Sequence, residues 1–231
     1  MGISVFLADR QVLFREGIHF TLSSEEDIEV IGEATGNGEA LTFVEANPPS
    51  VVILDVDHGE ISGIEVTRRI QQTLPSVGVI LIMDGDNEEQ LFSAMKSGAR
   101  ACLVKDADPP DLVNIIREVA QGKYPISESL LRPGIASRVV EEFEVFSLLS
   151  KQVDGVLTRL SPGEAEILRR IARGDPSELV AQAMGINEGT LQHRLGLIRA
   201  KLVANEHNRV VIEAVLRSLP SIISGVAFRA D

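Results

Sequence analysis

Val51-Val52-Ile53-Leu54 is an unbroken apolar run that ends on a carboxylate, Asp55, and eight residues later Gly63 opens an amphipathic stretch. A run this short, rich in β-branched residues and without alternation, is what a strand buried on both faces requires. Such strands belong to parallel sheets covered by helices, and an open α/β sheet places its reactive groups at the C-terminal ends of its strands. Asp55 stands at such an end.

The rest of the first half follows the same pattern. Strand signals at Ser4–Leu7, Ile28–Glu33, Val51–Leu54, Val79–Met83 and Ala101–Val104 alternate with helical signals near Leu13–Leu22, Gly38–Ala46, Gly63–Thr73, Glu88–Ser97 and Asp111–Gln121. Pro109-Pro110 precedes the last helix and Gly122 stops it. This order predicts a doubly wound α/β fold, flavodoxin-like, with a sheet of five parallel strands. The ends of its first, third and fifth strands then meet in one pocket, which collects Asp9, Asp55 and Lys105.

Asp9, Asp55, Gly63, Glu65 and the pair Lys105-Asp106, in this register, resemble the receiver domains of bacterial response regulators over about residues 3–122. The resemblance implies that Asp55 is a phosphoacceptor, that Lys105 pairs with the phosphoryl group, and that Asp9 is one of two acids holding Mg2+. Several positions depart from that pattern. Arg10 replaces the second acid, Met83 the hydroxyl residue at the end of the fourth strand, Cys102 the aromatic residue of the fifth, and Gly59 a proline. A thioether accepts weakly and donates nothing. The expected phosphorylation pocket is therefore Asp9, Arg10, Asp57, Met83 and Lys105, with Met83 and Cys102 at the switch positions.

Mg2+ takes octahedral oxygen ligands, and a nearby Arg opposes it. Unit charges at about 4 Å interact by roughly 4 kcal/mol at an effective dielectric of 20, and a divalent ion doubles that. If Arg10 points inward it pairs with Asp55 and stands in for the metal; if outward, the site lacks a ligand. Either way the metal site at Asp9 and Asp55 is expected to be weak or absent, and no cofactor is required.

Charge divides the chain. Residues 1–157 carry a net −14 and residues 158–220 a net +2, within a total of −12. Only the second part can approach a polyanion without strong repulsion. From Leu160 it reads as helices: one opened by Ser161-Pro162-Gly163-Glu164, which has capping-box spacing, and stopped by Gly174; a short one at Ser177–Met184; a third at Glu188–Val203 capped by Asn187; and a fourth at Arg209–Leu219. Leu160-Ser161-Pro162, Glu164, Glu166-Ile167-Leu168, Gly174, Ala181, Gly185-Ile186, Gly189-Thr190-Leu191 and Lys201-Leu202 resemble the LuxR-type helix-turn-helix of NarL/FixJ response regulators. The resemblance makes Glu188–Val203 the recognition helix, which enters the major groove. Facing away from its Leu191/Leu195/Ile198 stripe are Gln192, His193, Gly196 and Arg199. Gln192 is suited to adenine. Thr190, Arg194, Arg199 and Lys201 suit phosphates, which position rather than specify.

Between the two parts, Ile135, Val139, Phe143, Phe146, Leu149, Val153 and Val156 recur at helical spacing. The stripe packs on one of the domains or pairs with a second copy, in which case Phe143 and Phe146 lie in a dimer seam.

The expected organisation is a receiver at 1–123, a helical linker at 124–157 and a DNA-binding domain with a short tail at 158–231. The expected function is a two-component transcription regulator with a degenerate receiver, working as a homodimer on double-stranded DNA and answering to dimerisation or to a non-phosphate signal. A conventional regulator phosphorylated on Asp55 by a histidine kinase and an adaptor without DNA binding are the alternatives. No enzymatic constellation is visible. Asp9, Arg10, Arg15 and Glu16 in the first twenty residues argue against a leader or membrane span, and a lone Cys102 fits a reducing cytoplasm.

Overall fold

The structure, a computed structural model, describes residues 2–56, 61–149 and 157–218. Strands β1 (Ile3–Ala8), β2 (Ile28–Ala34), β3 (Val51–Asp55), β4 (Gly78–Met83) and β5 (Ala101–Val104) alternate with helices α1 (Val12–Ser23), α2 (Asn37–Ala46), α3 (Gly63–Thr73), α4 (Glu88–Ser97) and α5 (Pro109–Ala120). The sheet runs β2-β1-β3-β4-β5 with all neighbours parallel, the five-stranded flavodoxin-like sheet expected from the alternation of strand and helix signals. The α5 helix begins at Pro109 rather than Asp111, because proline fits the first helical turn, where its missing N–H is not needed.

Every residue of β3 and β4 is buried, which is why neither strand alternates. On one face of the sheet, Val5, Leu7, Ile53 and Ile80 pack under Ile18 and Leu22 of α1 and Ile116 and Val119 of α5. On the other, Phe6, Leu54 and Leu81 pack under Ala40 and Val44 of α2, Val66 and Ile70 of α3, and Leu91 and Met95 of α4. Each such Val, Leu, Ile, Phe or Met side chain contributes about 1.5–3 kcal/mol by burial.

That second core does not stop at the sheet. After a short 3-10 helix at Pro125–Leu131, α6 (Pro133–Leu149) carries Ile135, Val139, Phe143 and Phe146 into it. The same core reaches Ile167 and Leu168 of α7 (Pro162–Ala172), Val180 of α8 (Ser177–Ala183), and Leu191, Leu195, Ile198 and Leu202 of α9 (Glu188–Ser218). Phe143 and Phe146 meet edge to face at 5.7 Å, and Phe146 is 1% exposed. Ile135, Val139, Phe143 and Phe146 are thus internal core and not a free dimer seam; the Leu149 side chain, Val153 and Val156 lie outside what is described.

The C-terminal part differs from expectation at one point. The helices expected at Glu188–Val203 and Arg209–Leu219 are one continuous helix, α9, whose last expected residue, Leu219, lies outside the described residues. Nothing between Val203 and Arg209 breaks a helix: there is no glycine or proline. Asn205, a residue that would suit a turn, is buried in α9. There it accepts from Thr158 N (2.7 Å) and donates to Thr158 O (2.7 Å), so its amide stitches the incoming chain to the helix.

Candidate functional site

Parallel strands end side by side, so β1, β3, β4 and β5 deliver Asp9, Asp55, Met83 and Lys105 to one edge of the sheet. Asp55 is 3% exposed and Asp9 2%. The Lys105 ammonium sits 2.9 Å from Asp55 Oδ2, 3.4 Å from Asp9 Oδ2 and 2.7 Å from Asp84 Oδ1. Burial works against its charge, but the hydrogen bonds to Asp84 and Asp55 and the charges of Asp55 and Asp9 outweigh burial and raise its pKa. Asp9 goes the other way for a carboxylate: burial raises its pKa, the Asp55 charge adds to that, and the Gln11 N–H and Lys105 only partly offset them. Asp9 Oδ1 accepts from Gln11 N at 2.6 Å, while the buried Oδ2 has no hydrogen-bond partner.

The end of β3 and the start of α3 are tied together from below. Asn37 donates to Asp55 O (3.0 Å) and Ile61 O (3.2 Å). Gly63 N donates to Val56 O at 3.0 Å, and a Cβ on Gly63 would stand 2.3 Å from Asp55 O. Glycine is required there by close backbone approach. Ser62 then caps α3 by accepting from Glu65 N.

Of the expected pocket residues, Asp9, Asp55 and Lys105 converge. Arg10 is exposed, and the cation on Asp55 is Lys105, not Arg10. Asp57 lies outside the described residues. Two carboxylates therefore face the place where Mg2+ would bind, and Asp9 Oδ2, which has only the Lys105 ion pair at 3.4 Å, is suited to a cation. The third nearby carboxylate, Asp84, is held by Lys105. Among the described residues no group of three or more His, Cys, Asp or Glu side chains is placed to hold a metal ion.

Met83 is 3% exposed and lies within the apolar core under α4. Cys102 is half-buried against the same core, and burial pushes its thiol up to about 12. The two positions expected to act as switches are hence filled by groups that neither donate to the acid cluster nor ionise at neutral pH.

The candidate DNA-binding residues divide into two sets. Thr190, Gln192, His193, Arg194 and Gly196 lie on the half-buried and exposed face of α9, whose start is capped by Asn187 accepting from Thr190 N at 2.8 Å. Ser161 and Glu164 form the capping box of α7 that their spacing predicts. Arg199 and Lys201 are placed elsewhere. Arg199 is buried, with its guanidinium 3.7 Å from the centre of the Tyr124 ring. Lys201 reaches Glu164 Oε2 at 2.6 Å and Arg159 O at 3.2 Å. Both cations thus serve packing in this arrangement, and neither is offered to a phosphate. Burial raises the Glu164 pKa, but the hydrogen bonds from Lys201 and Ser161 outweigh it and hold the carboxyl low.

Further along, α9 lies on the receiver side. Glu206, buried, accepts from Arg209 and pairs with Lys96 (3.2 Å) of α4 and Arg68 (3.8 Å) of α3. Sequence reasoning did not single out Asn37, Tyr124 or Glu206. Tyr124 is the only tyrosine of the chain, and a tyrosine in a connector is a signal, since its ring buries well only beside a polar partner.

Residues 5–117 match the response regulator receiver domain family. The chain is 28% identical over 222 residues to the uncharacterized transcriptional regulatory protein YhcZ of Bacillus subtilis, covering 96% of this chain and 100% of that one. It is 28% identical over 193 residues to the nitrate/nitrite response regulator protein NarL of Escherichia coli, covering 82% of this chain and 84% of that one. Its fold matches the signal receiver domain of the putative response regulator NarL from Mycobacterium tuberculosis, with a TM-score of 0.51 and 29% identity over 53% of this chain and 98% of that one.

Proposed function

We propose that this chain, whose residues 5–117 are a response regulator receiver domain and whose full-length relatives are transcriptional regulators of the NarL type, binds double-stranded DNA through α9 and is governed by contacts between its receiver and α9 rather than by phosphorylation. The observation that carries this reading is the chemistry at the readout positions. A phosphoryl group on Asp55 shifts a conformational equilibrium only if another group interacts with it differently in two states. Met83 and Cys102 are apolar in this setting and provide no such group. The receiver and the connector that follows it instead hold α9 directly, the connector through Tyr124 on Arg199 and the receiver through Arg68 and Lys96 on Glu206.

In this reading DNA binding requires α9 to leave the receiver, since Arg199 is covered until it does. Thr190, Gln192, His193, Arg194 and Gly196 then form the first contact face, with Arg199 and Lys201 joining as phosphate contacts on release. The protein acts in the cytoplasm and as a homodimer, whose seam is not the buried Phe143/Phe146 stripe. Among the described residues no helix is long and apolar enough to cross a membrane.

A second reading has a specific observation behind it. Asp55 and Lys105 keep a close charged pair, so phosphorylation of Asp55 by a histidine kinase is chemically feasible. Retention of genomic DNA fragments by the full chain, with and without a small phosphodonor and Mg2+, separates the readings. Equal retention supports contact control. A tenfold or larger gain that Asp55→Asn abolishes restores phosphorylation control, and no retention under any condition makes the protein an adaptor.

A further inference from the structure

A cavity of about 350 Å3 lies where α3, α4, α6 and α9 meet, walled by Arg68, Lys96, Arg138, Arg209, Glu89 and Glu206. Four cations converge there in a chain whose net charge is −12. Their carboxylate partners are shared. Glu206 serves Arg209, Lys96 and Arg68 at once. Glu142 takes Lys96 at 2.7 Å, and Glu65 divides itself between Arg68 and Arg69, each at 3.4 Å.

Two guanidinium groups are left with donors to spare. Arg68 Nε is buried and has no hydrogen-bond partner. Arg138 makes no ion pair among the described residues and only lies 6.0 Å above the Phe92 ring. A buried N–H without an acceptor is costly, and guanidinium forks match the oxygens of a phosphate. The cavity is at the lower end of the size range of small-molecule sites.

We infer that this cleft binds a small phosphorylated molecule and that its occupancy locks α9 onto the receiver. Arg68 comes from α3, Arg138 from α6 and Arg209 from α9, so one phosphate group held by the three exists as a site only while those helices are together. A ligand that binds one arrangement shifts the population toward it. Occupancy therefore keeps Arg199 covered and lowers DNA affinity. This deepens the proposed contact control by naming the chemistry of its signal, and it rests on that reading for its effect on DNA.

Calorimetric titration of the full chain with inorganic pyrophosphate tests the site, with sodium sulfate at matched ionic strength as control and adenosine monophosphate as an ester probe. The expected result is one-to-one binding of a phosphate probe, stronger than sulfate, with a rise in Tm. Arg138→Gln and Arg68→Gln should each weaken binding about tenfold, the loss of one charge-assisted pair, and Asp55→Asn should leave it intact. Absence of binding, parity with sulfate, or binding indifferent to Arg138→Gln and Arg68→Gln overturns the site. Binding lost in Asp55→Asn places the anion at the acid cluster and equally overturns it. DNA affinity measured with the probe at saturation should fall at least tenfold, and an unchanged affinity overturns the lock. A phosphodonor-driven gain in DNA binding would end contact control while leaving the calorimetry unaffected, so the two failures are separable.

Discussion

At the C-terminal edge of the sheet one ammonium, Lys105, is shared among Asp9, Asp55 and Asp84; under α9 one carboxylate, Glu206, is shared among Arg68, Lys96 and Arg209. The first hub is closed within the receiver and leaves its surplus in acids that burial makes costly. The second bridges the receiver to α9 and leaves its surplus in cations that reach water. A hub inside one domain tunes that domain's chemistry, whereas a hub between elements couples their positions. The likeness in form therefore says little about role; what each side chain is anchored to decides it.

Both hubs hang on one apolar core, and the largest effect comes from cutting it. Phe146→Ala should cost about 3–5 kcal/mol in urea unfolding. The loss should come within a single transition, because the core runs unbroken from the sheet to α9. Two separate transitions in the parent chain would show that the receiver and the C-terminal helices are energetically independent, and the comparison of hubs would lose its common ground. Sedimentation of Phe146→Ala should match that of the parent.

Next is Lys105→Ala. It removes the ammonium shared by Asp9 and Asp55, which are almost fully buried, and breaking a buried pair by removing one partner costs about 3–5 kcal/mol. The deficit should shrink as pH falls. Asp9 already has a raised pKa in the fold, so its contribution is full below its ordinary 3.8 and is lost as pH rises through the folded value. Taking away Lys105 moves that loss to still higher pH. A deficit independent of pH would mean that the acids find other partners.

Glu206→Gln should cost less, about 1–3 kcal/mol, because Arg68 and Arg209 remain partly exposed and can hydrate. Its pH dependence has the opposite sign. Burial raises the Glu206 pKa, but the hydrogen bonds from Arg209 and the charge of Lys96 outweigh it and hold the carboxyl low. Its contribution is present above the ordinary 4.5 and fades as pH falls through the folded value. The gap between parent and variant should thus close in acid. Hydrogen exchange of α9 should rise in the variant at neutral pH, and in the parent in acid.

Tyr124→Ala removes the ring under Arg199. A desolvated cation–π contact is worth about 2 kcal/mol, so DNA affinity should rise up to about thirtyfold if that contact holds α9 back. Tyr124→Phe, which keeps the ring, should stay near the parent. An unchanged affinity in Tyr124→Ala would show that Arg199 is not limiting.

The sheet was legible because β3 and β4 are buried on both faces and leave unbroken apolar runs, and because a carboxylate at a parallel strand's end has few structural reasons to be there. Asp9, Asp55 and Lys105 could be placed together on strand ends alone. Arg10 could not be oriented, since a residue past a strand end turns either way and the choice depends on neighbours such as Lys105 that fill the pocket first. The α9 helix was expected as two; the burial of Asn205 against Thr158, which stitches the incoming chain to the one continuous helix, is a tertiary contact that no local pattern encodes. Arg199 was expected on the polar face by the same logic, but it is buried. What the helical period does not contain is the Tyr124 ring lying over it.

The smallest effect sharpens the first hub itself. Mg2+ needs oxygen ligands in near-octahedral order and gives up water reluctantly. Here Asp9 and Asp55 offer carboxylates, but Lys105 already lies 2.9 Å from Asp55 and 3.4 Å from Asp9, so an incoming ion must share them with a fixed positive charge. Exposed Arg10 adds no ligand. Titration of Mg2+ followed by backbone chemical shifts should give small, local changes at Asp9 and Asp55 without saturation below millimolar concentrations. Lys105→Ala should tighten the binding, because it removes the competing charge from both acids. Saturation below millimolar in the parent would mean that the ammonium swings aside toward Asp84 and that the acid cluster is a metal site after all. The hub would then be a ligand-responsive device like its counterpart under α9, and the contrast between them would narrow to the sign of the charge each one receives.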